Sequence, residues 1–200
     1  MLLHDKLKSF RLILASQSPR RRQLLSDAGI EYELAPRFEC DEVFPEDLPA
    51  AEVAEYLSRL KSEVYPLPLE KNDILLTADT VVVAGGEVLG KPADRADAIA
   101  IIEKLSGKEH EVITGVTLRC AGAVKSFSSH SKVHFRTLSQ EEIEYYVDTY
   151  SPMDKAGAYG IQGLGAMLVE KINGDYFNVV GLPVSTLAEI LETDFNFVLM

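Results

Sequence analysis

The stretch Arg11-Leu12-Ile13-Leu14-Ala15-Ser16-Gln17-Ser18-Pro19-Arg20-Arg21-Arg22 decides how the chain is read. Arg11 to Ala15 reads as a short buried strand. Ser18-Pro19 then opens a helix. A serine hydroxyl accepts a hydrogen bond from an otherwise free amide of the first turn, and proline suits the first helical position because its missing N–H has no partner to lose there. Leu24, Leu25 and Ala28 supply an apolar face, and Gly29 ends the helix. Ile30 to Ala35 reads as a second strand, so strand, helix and strand follow in succession.

Working outward, a polar acidic loop runs through Pro49, and Ala50 to Tyr65 is helical by period, with Val53, Ala54, Leu57 and Leu60 on one side. Asp73 to Ala84 is a strand rich in β-branched residues, turned by Gly85-Gly86 into a partner at Glu87 to Leu89. Asp94 caps a helix carrying Ala98, Ile101, Ile102 and Leu105, closed near Gly107. Glu111 to Arg119 and Ala123 to Arg136 are two long strands. Ser139 caps a helix to about Val147, with Glu142 at the capping-box position. A Gly-rich loop precedes a strand from Ala166 to Ile172, a hairpin turn at Asn173-Gly174, and a last helix from Leu182-Pro183 through Leu191. Helices and strands alternate irregularly and hairpins are included, which predicts an α/β protein with a mixed sheet flanked by helices. With no linker, repeat or low-complexity stretch, residues 1–200 are expected to be a single domain.

Composition narrows the function classes. Acidic residues outnumber basic ones 31 to 20, and a field of that sign repels duplex nucleic acid and anionic lipid. A small phosphate ligand stays allowed, because local cations and a metal outweigh charge screened beyond ~8 Å. Cys40 and Cys120 form no CxxC pair, which leaves either two free thiols or one long-range disulfide. Nothing resembles a secretory signal, and no apolar run approaches the ~20 residues of a membrane span, so the expected compartment is the cytoplasm.

Function is best sought where local rules are broken. Arg20, Arg21 and Arg22 put three cations in the first turn of a helix, where the macrodipole prefers an anion. They are either a solvated cluster or, with the Ser16 and Ser18 hydroxyls and free amides, a phosphate site. Asp79, with Thr80 beside it, splits an otherwise apolar strand, and an unpaired buried carboxylate is expensive. It is either bonded to a nearby turn or kept to hold a divalent metal or take a proton from water. Lys91, between Gly90 and Pro92, can place its ammonium against phosphate or simply lie in a turn. Asp41 and Glu42 are either surface residues or a second oxygen source for magnesium. Lys61, near a helix end, reads by itself as solvated. The loop from Asp154 to Gly165 clusters four glycines but matches neither a P-loop nor a dinucleotide fingerprint. It is either flexible or a close approach to a ligand, with Gln162 able to read a base edge. His130 and His134 are discounted as a zinc pair, since four residues along a strand span roughly 13 Å.

Several of these stretches together resemble one family. Leu14-Ala15-Ser16-Gln17-Ser18-Pro19-Arg20-Arg21, Ala78-Asp79-Thr80-Val81-Val82, Gly90-Lys91-Pro92 and Ser106-Gly107-Lys108 are followed by Val133-His134-Phe135, Asp154 to Gly163, and Asn178-Val179-Val180-Gly181-Leu182-Pro183. In this order they are similar to the Maf family of nucleotide pyrophosphatases, over nearly the whole chain. The resemblance implies an elongated α/β fold like that of inosine triphosphate pyrophosphatases, with two lobes around a nucleotide cleft. It implies a homodimer and hydrolysis between the α and β phosphates with Mg2+ or another divalent cation. The family's general base maps onto Asp79, its phosphate-handling positions onto Ser16, Arg21 and Lys91, and its specificity positions onto Arg20, Thr80 and Gln162. Its helix lysine maps onto Lys61, although Ser62 stands where alanine is usual. Its loop glutamate, a metal ligand with Asp79, maps onto Glu42, with Asp41 a competitor. The Gly160-Ile161-Gln162-Gly163 loop resembles the branch acting on dTTP and UTP. The rival expectations are a non-catalytic nucleotide-binding regulator, for instance of septum formation, and a transferase that releases pyrophosphate only when an acceptor is present.

Overall fold

A computed structural model describes residues 2–193 of the chain. Residue 1 and residues 194–200, which the one-domain expectation included, lie outside the described residues. The elements are α1 (Leu3–Leu7), β1 (Arg11–Leu14), α2 (Pro19–Asp27), β2 (Glu33–Leu34), α3 (Val53–Glu63), β3 (Asp73–Ala84), β4 (Glu87–Leu89), α4 (Arg95–Leu105), β5 (Glu109–Cys120), β6 (Ala123–Phe135), α5 (Gln140–Tyr150), β7 (Val169–Asn173), α6 (Tyr176–Val180) and α7 (Val184–Thr193). The strands form a seven-stranded mixed sheet in the order β2-β1-β3-β5-β6-β7, with β4 paired to β3. Helices flank it, so the α/β class read from the sequence is the class observed. Among the described residues, no helix is long and apolar enough to cross a membrane. They divide into two compact units: residues 2–79, Thr114–Ser129 and 181–193, and then Thr80–Ile113 with His130–Val180.

In the first unit β1 pairs in parallel with both β2 and β3. Arg11 and Asp73 are partners in the β1–β3 register, and their side chains form a two-pronged bond: Nε to Oδ1 at 2.8 Å and Nη2 to Oδ2 at 2.6 Å. That bond holds the Asp73 carboxyl below the usual carboxylate range and fixes the register of the two strands at one end. Ile74, Leu75 and Leu76 are fully buried, as expected of a central strand covered on both faces. Helix α2 begins as its sequence predicts, with Ser18 accepting from the Arg21 amide and Pro19 at its first position. The second strand is shorter than expected. The Ile30 amide donates to Leu25 O and closes the helix end, so the strand is Glu33 and Leu34 in register with Ile13 and Leu14, followed by the Ala35 amide donating to Leu14 O.

Helix α3 lies unusually close to β5. A Cβ at Gly115 would sit 2.2 Å from the Ala54 carbonyl carbon and 2.3 Å from the Glu55 amide nitrogen, so helix backbone touches strand backbone at this point. Buried hydroxyls fasten the same contact: Thr77 Oγ1 donates to Ser58 O at 2.7 Å, and Ser58 Oγ meets Thr117 Oγ1 at 2.8 Å. Ser62 is different. It is 1 % exposed, and its hydroxyl has no hydrogen-bond partner among the described residues. Removing a buried, unsatisfied hydroxyl relieves its desolvation cost, so Ser62→Ala is expected to raise stability by about 1 kcal/mol. A urea midpoint that moves up with an unchanged slope checks this, and a fall would contradict it.

In the second unit β3 and β4 form the expected hairpin, and β6 pairs antiparallel with β7. Asp94 caps α4, and Ser139 with Glu142 forms a full capping box on α5. Two expectations need correction. The last strand starts at Val169 rather than Ala166, because residues Gly163–Met167 wind into a 3-10 turn. Asn173-Gly174 makes no hairpin, since α6 follows it. Gly174 takes φ 131 and a Cβ there would lie 2.7 Å from Ser131 Oγ, while the Asp175 carboxylate accepts the Phe177 amide and starts the helix. The glycine therefore serves a close approach instead of a two-residue turn.

Behind the Asp154–Gly165 loop, His110 is 3 % exposed and its Nε2 lies 2.7 Å from the Tyr159 hydroxyl. Phe135 packs edge-on against both rings. Burial, opposed by Glu109 and reinforced by His134, pulls the His110 pKa from 6.5 down to about 4. The unfolded chain thus takes up a proton below pH 6.5 that the folded chain refuses until about pH 4. Stability contributed at neutral pH is lost across that window as the solution is acidified, by up to about 3 kcal/mol. Acid unfolding curves of the wild type and His110→Gln are expected to diverge between those two pH values. Parallel curves would rule this out.

Candidate active site

The turn between β1 and α2 is built by serines. The Ser18 amide donates to Ser16 Oγ at 3.3 Å, and the Arg21 amide donates to Ser18 Oγ at 3.5 Å. The three arginines that follow do not act as one cluster. Arg20 is half-buried, and Arg22 reaches back to Gln17 O. Arg21 turns inward and is 9 % exposed. Its Nε donates to Gly181 O at 2.8 Å, and its Nη1 to Ala78 O at 2.9 Å and Ser16 Oγ at 3.1 Å. One guanidinium thereby ties the serine turn, the residue preceding Asp79 and the start of the last segment together. Burial lowers its pKa, opposed by Asp79 and Glu42 and reinforced by Arg20. Its rigid fork suits this bridging, which a lysine could not reproduce.

Asp79 is 9 % exposed and escapes the penalty of an unpaired charge through a helix lysine rather than a turn. Lys61 Nζ lies 2.5 Å from Asp79 Oδ1 and 3.0 Å from Glu42 Oε1. Three expected site residues from a loop, a helix and a strand thus converge on one nitrogen. Lys61 is not the solvated residue that its position alone suggests, since its side chain is 14 % exposed. The signal was present in the period, because Ala54, Leu57 and Lys61 continue one line along α3. Cys40 belongs to the same neighbourhood and was missed. Burial pushes its thiol pKa up, Lys61 pulls it down, and Glu42, Asp41 and Asp79 raise it further. Both cysteines are free, which settles the question left open by the sequence.

Thr80, Lys91 and Gln162 belong to the second unit. Thr80 is half-buried, while Lys91 and Gln162 are exposed. The Gly157 amide donates to Gly90 O at 3.0 Å, strapping the turn that bears Lys91 to the loop that leads to Gln162. Ala158, buried in this loop, adopts φ 55. Left-handed backbone costs a residue with a Cβ about 1 kcal/mol or more, and it persists here because Tyr159 is anchored on His110. His130 Nδ1 lies 3.0 Å from Glu111 Oε1, while His134 Nε2 faces Glu170 at 3.7 Å, so the two rings have separate partners.

Within the first unit, then, a paired carboxylate set, a buried arginine and a serine-rich helix start form a centre with both signs of charge. Such a centre can hold an anion while keeping a base beside it. The family model described as Maf-like protein matches residues 11–194. A protein named dTTP/UTP pyrophosphatase from Bacteroides thetaiotaomicron is 47% identical over 182 residues, covering 90% of this chain and 94% of that one. Another of the same name from Thermosipho africanus is 49% identical over 181 residues, covering 90% and 92%. Among solved structures, a HAM1 protein from Coxiella burnetii gives a TM-score of 0.46 at 15% identity, covering 92% of this chain and 98% of that one, a likeness too loose to carry fold or function.

Proposed function

The chain belongs to the Maf family, and from that premise we propose that it hydrolyses nucleoside triphosphates, dTTP and UTP foremost, to the monophosphate and pyrophosphate. Relatives of that name, matched over nine-tenths of the chain, support the reaction and its substrates. The observation that carries the reading onto this chain's own residues is the Lys61 ammonium held between Asp79 and Glu42. A protein that only bound triphosphate would gain from cations and lose from carboxylates placed beside them.

In this reading Asp79 orients a water and accepts its proton as the oxygen attacks the α-phosphorus, and pyrophosphate departs. Ser16 and Arg21 handle phosphate, Arg21 also keeping Ser16 and the β3 backbone in place, while Arg20 serves specificity. For Thr80, Lys91 and Gln162 the reading rests on the resemblance alone, with Lys91 serving phosphate and the other two the base. No covalent nucleophile is needed, because positioning and electrostatics account for most of the catalysis in such transfers.

The donor set fits a divalent cation, magnesium in first place. Asp79 and Glu42 offer hard carboxylate oxygens already directed at one cationic centre. Among the described residues, no group of three or more His, Cys, Asp or Glu is disposed to hold a metal, and magnesium commonly completes its shell with substrate phosphate and water. When bound, the ion would neutralise phosphate oxygens and the leaving pyrophosphate.

A panel of ribo- and deoxyribonucleotides, assayed with and without magnesium, tests the reading. Equal amounts of monophosphate and pyrophosphate from dTTP and UTP, only with the cation, are expected. Binding without release would favour a regulator, release only with an acceptor a transferase, and orthophosphate a different bond.

A further inference from the structure

Lys61 has a role in the protein without nucleotide that follows from charge balance. Its Nζ lies within 3.0 Å of an oxygen of each carboxylate, with side-chain exposures of 14% for Lys61, 12% for Asp79 and 45% for Glu42. The Arg21 guanidinium is close enough to Asp79 and Glu42 for their charges to raise its pKa. Cations therefore already face both carboxylates before any ligand arrives, with Lys61 in direct contact and Arg21 nearby. Opposite charges this close at a partly buried site interact strongly, so a divalent ion arriving alone must displace an ammonium already in contact with both of its ligands. It then adds its positive charge to a centre whose carboxylates already have cationic partners. A triphosphate arriving with the ion supplies the missing negative charge and the remaining oxygens.

We propose that Lys61 is a built-in counter-ion that stands in for the divalent cation between Asp79 and Glu42. Because of it, the ion is loaded together with the nucleotide rather than ahead of it. This rests on the reading of Asp79 and Glu42 as the cation's ligands. Lys61 is a positioning residue here, acting through the two carboxylates.

The experiment uses the full chain without nucleotide and Mn2+ as the probe, titrated by calorimetry and by the paramagnetic signal of the free ion. Wild type is expected to bind Mn2+ weakly. Lys61→Met is expected to bind at least about tenfold more tightly, since its two carboxylates lose their internal partner. It should also melt lower than wild type when metal-free and recover when Mn2+ is added. Lys61→Gln, which keeps a hydrogen-bond donor for the carboxylates, is expected to shift affinity in the same direction and supplies the answer if the Met variant does not fold. Equal or weaker Mn2+ binding in the variant that folds overturns the counter-ion role. Failure of the underlying reading looks different: in the presence of nucleotide, Asp79→Asn would then bind Mn2+ as tightly as wild type does.

Discussion

Asp79→Asn is expected to lower turnover about a thousandfold, the scale of a lost general base, while affinity for the nucleotide without divalent cation stays within about threefold. The substitution keeps the shape of the side chain and an oxygen that can still accept from Lys61 Nζ, now 2.5 Å from Oδ1. What disappears is the negative charge and the capacity to take a proton from water. A loss confined to turnover locates Asp79 at the reacting atoms. A loss of affinity alone would make it part of the binding surface, and turnover near the wild-type rate would remove it from the chemistry. Steady-state kinetics on dTTP, with calorimetric binding of a non-hydrolysable analogue, separates these outcomes.

Gly115→Ala is the second large effect, and it acts through the scaffold. The added Cβ would meet Ala54 carbonyl carbon and oxygen at 2.2 Å, backbone atoms that cannot rotate away as a side chain can. Overpacking ordinarily costs about 1–3 kcal/mol, and a clash with helix backbone is expected at about 3 kcal/mol or beyond. Helix α3 must move off β5, straining the Thr77–Ser58 and Ser58–Thr117 bonds. Lys61 rides on that helix, so whatever protein still folds should also lose turnover. A urea midpoint unchanged from wild type would show that the contact is looser than the geometry states.

Much of the fold was legible because its signals are local. The Ser18 cap with Pro19, the Asp94 cap and the Ser139–Glu142 box each declare a helix start through side-chain chemistry within four residues. Strand β3 begins and ends where its apolar run does. What was not legible depends on partners distant in the chain. Asn173-Gly174 carries a hairpin signature, and only contact with Ser131 reveals what the glycine is for. The one-turn helices α1 and α6 have too little period to announce themselves. The site divides the same way. Asp79 stood out as a carboxylate in an apolar strand, but its neutralisation by Lys61, 18 residues earlier, needed the fold. Arg21 looked like one of three equivalent cations until Gly181, 160 residues away, proved to be an acceptor.

Hydrolysis of dTTP in heavy-oxygen water, followed by mass spectrometry of both products, tests most directly whether a water beside Asp79 attacks the α-phosphorus. One solvent oxygen is expected in the thymidine monophosphate and none in the pyrophosphate. Label in the pyrophosphate would place the attack on the β-phosphorus, and unlabelled products would mean that no water attacks at all.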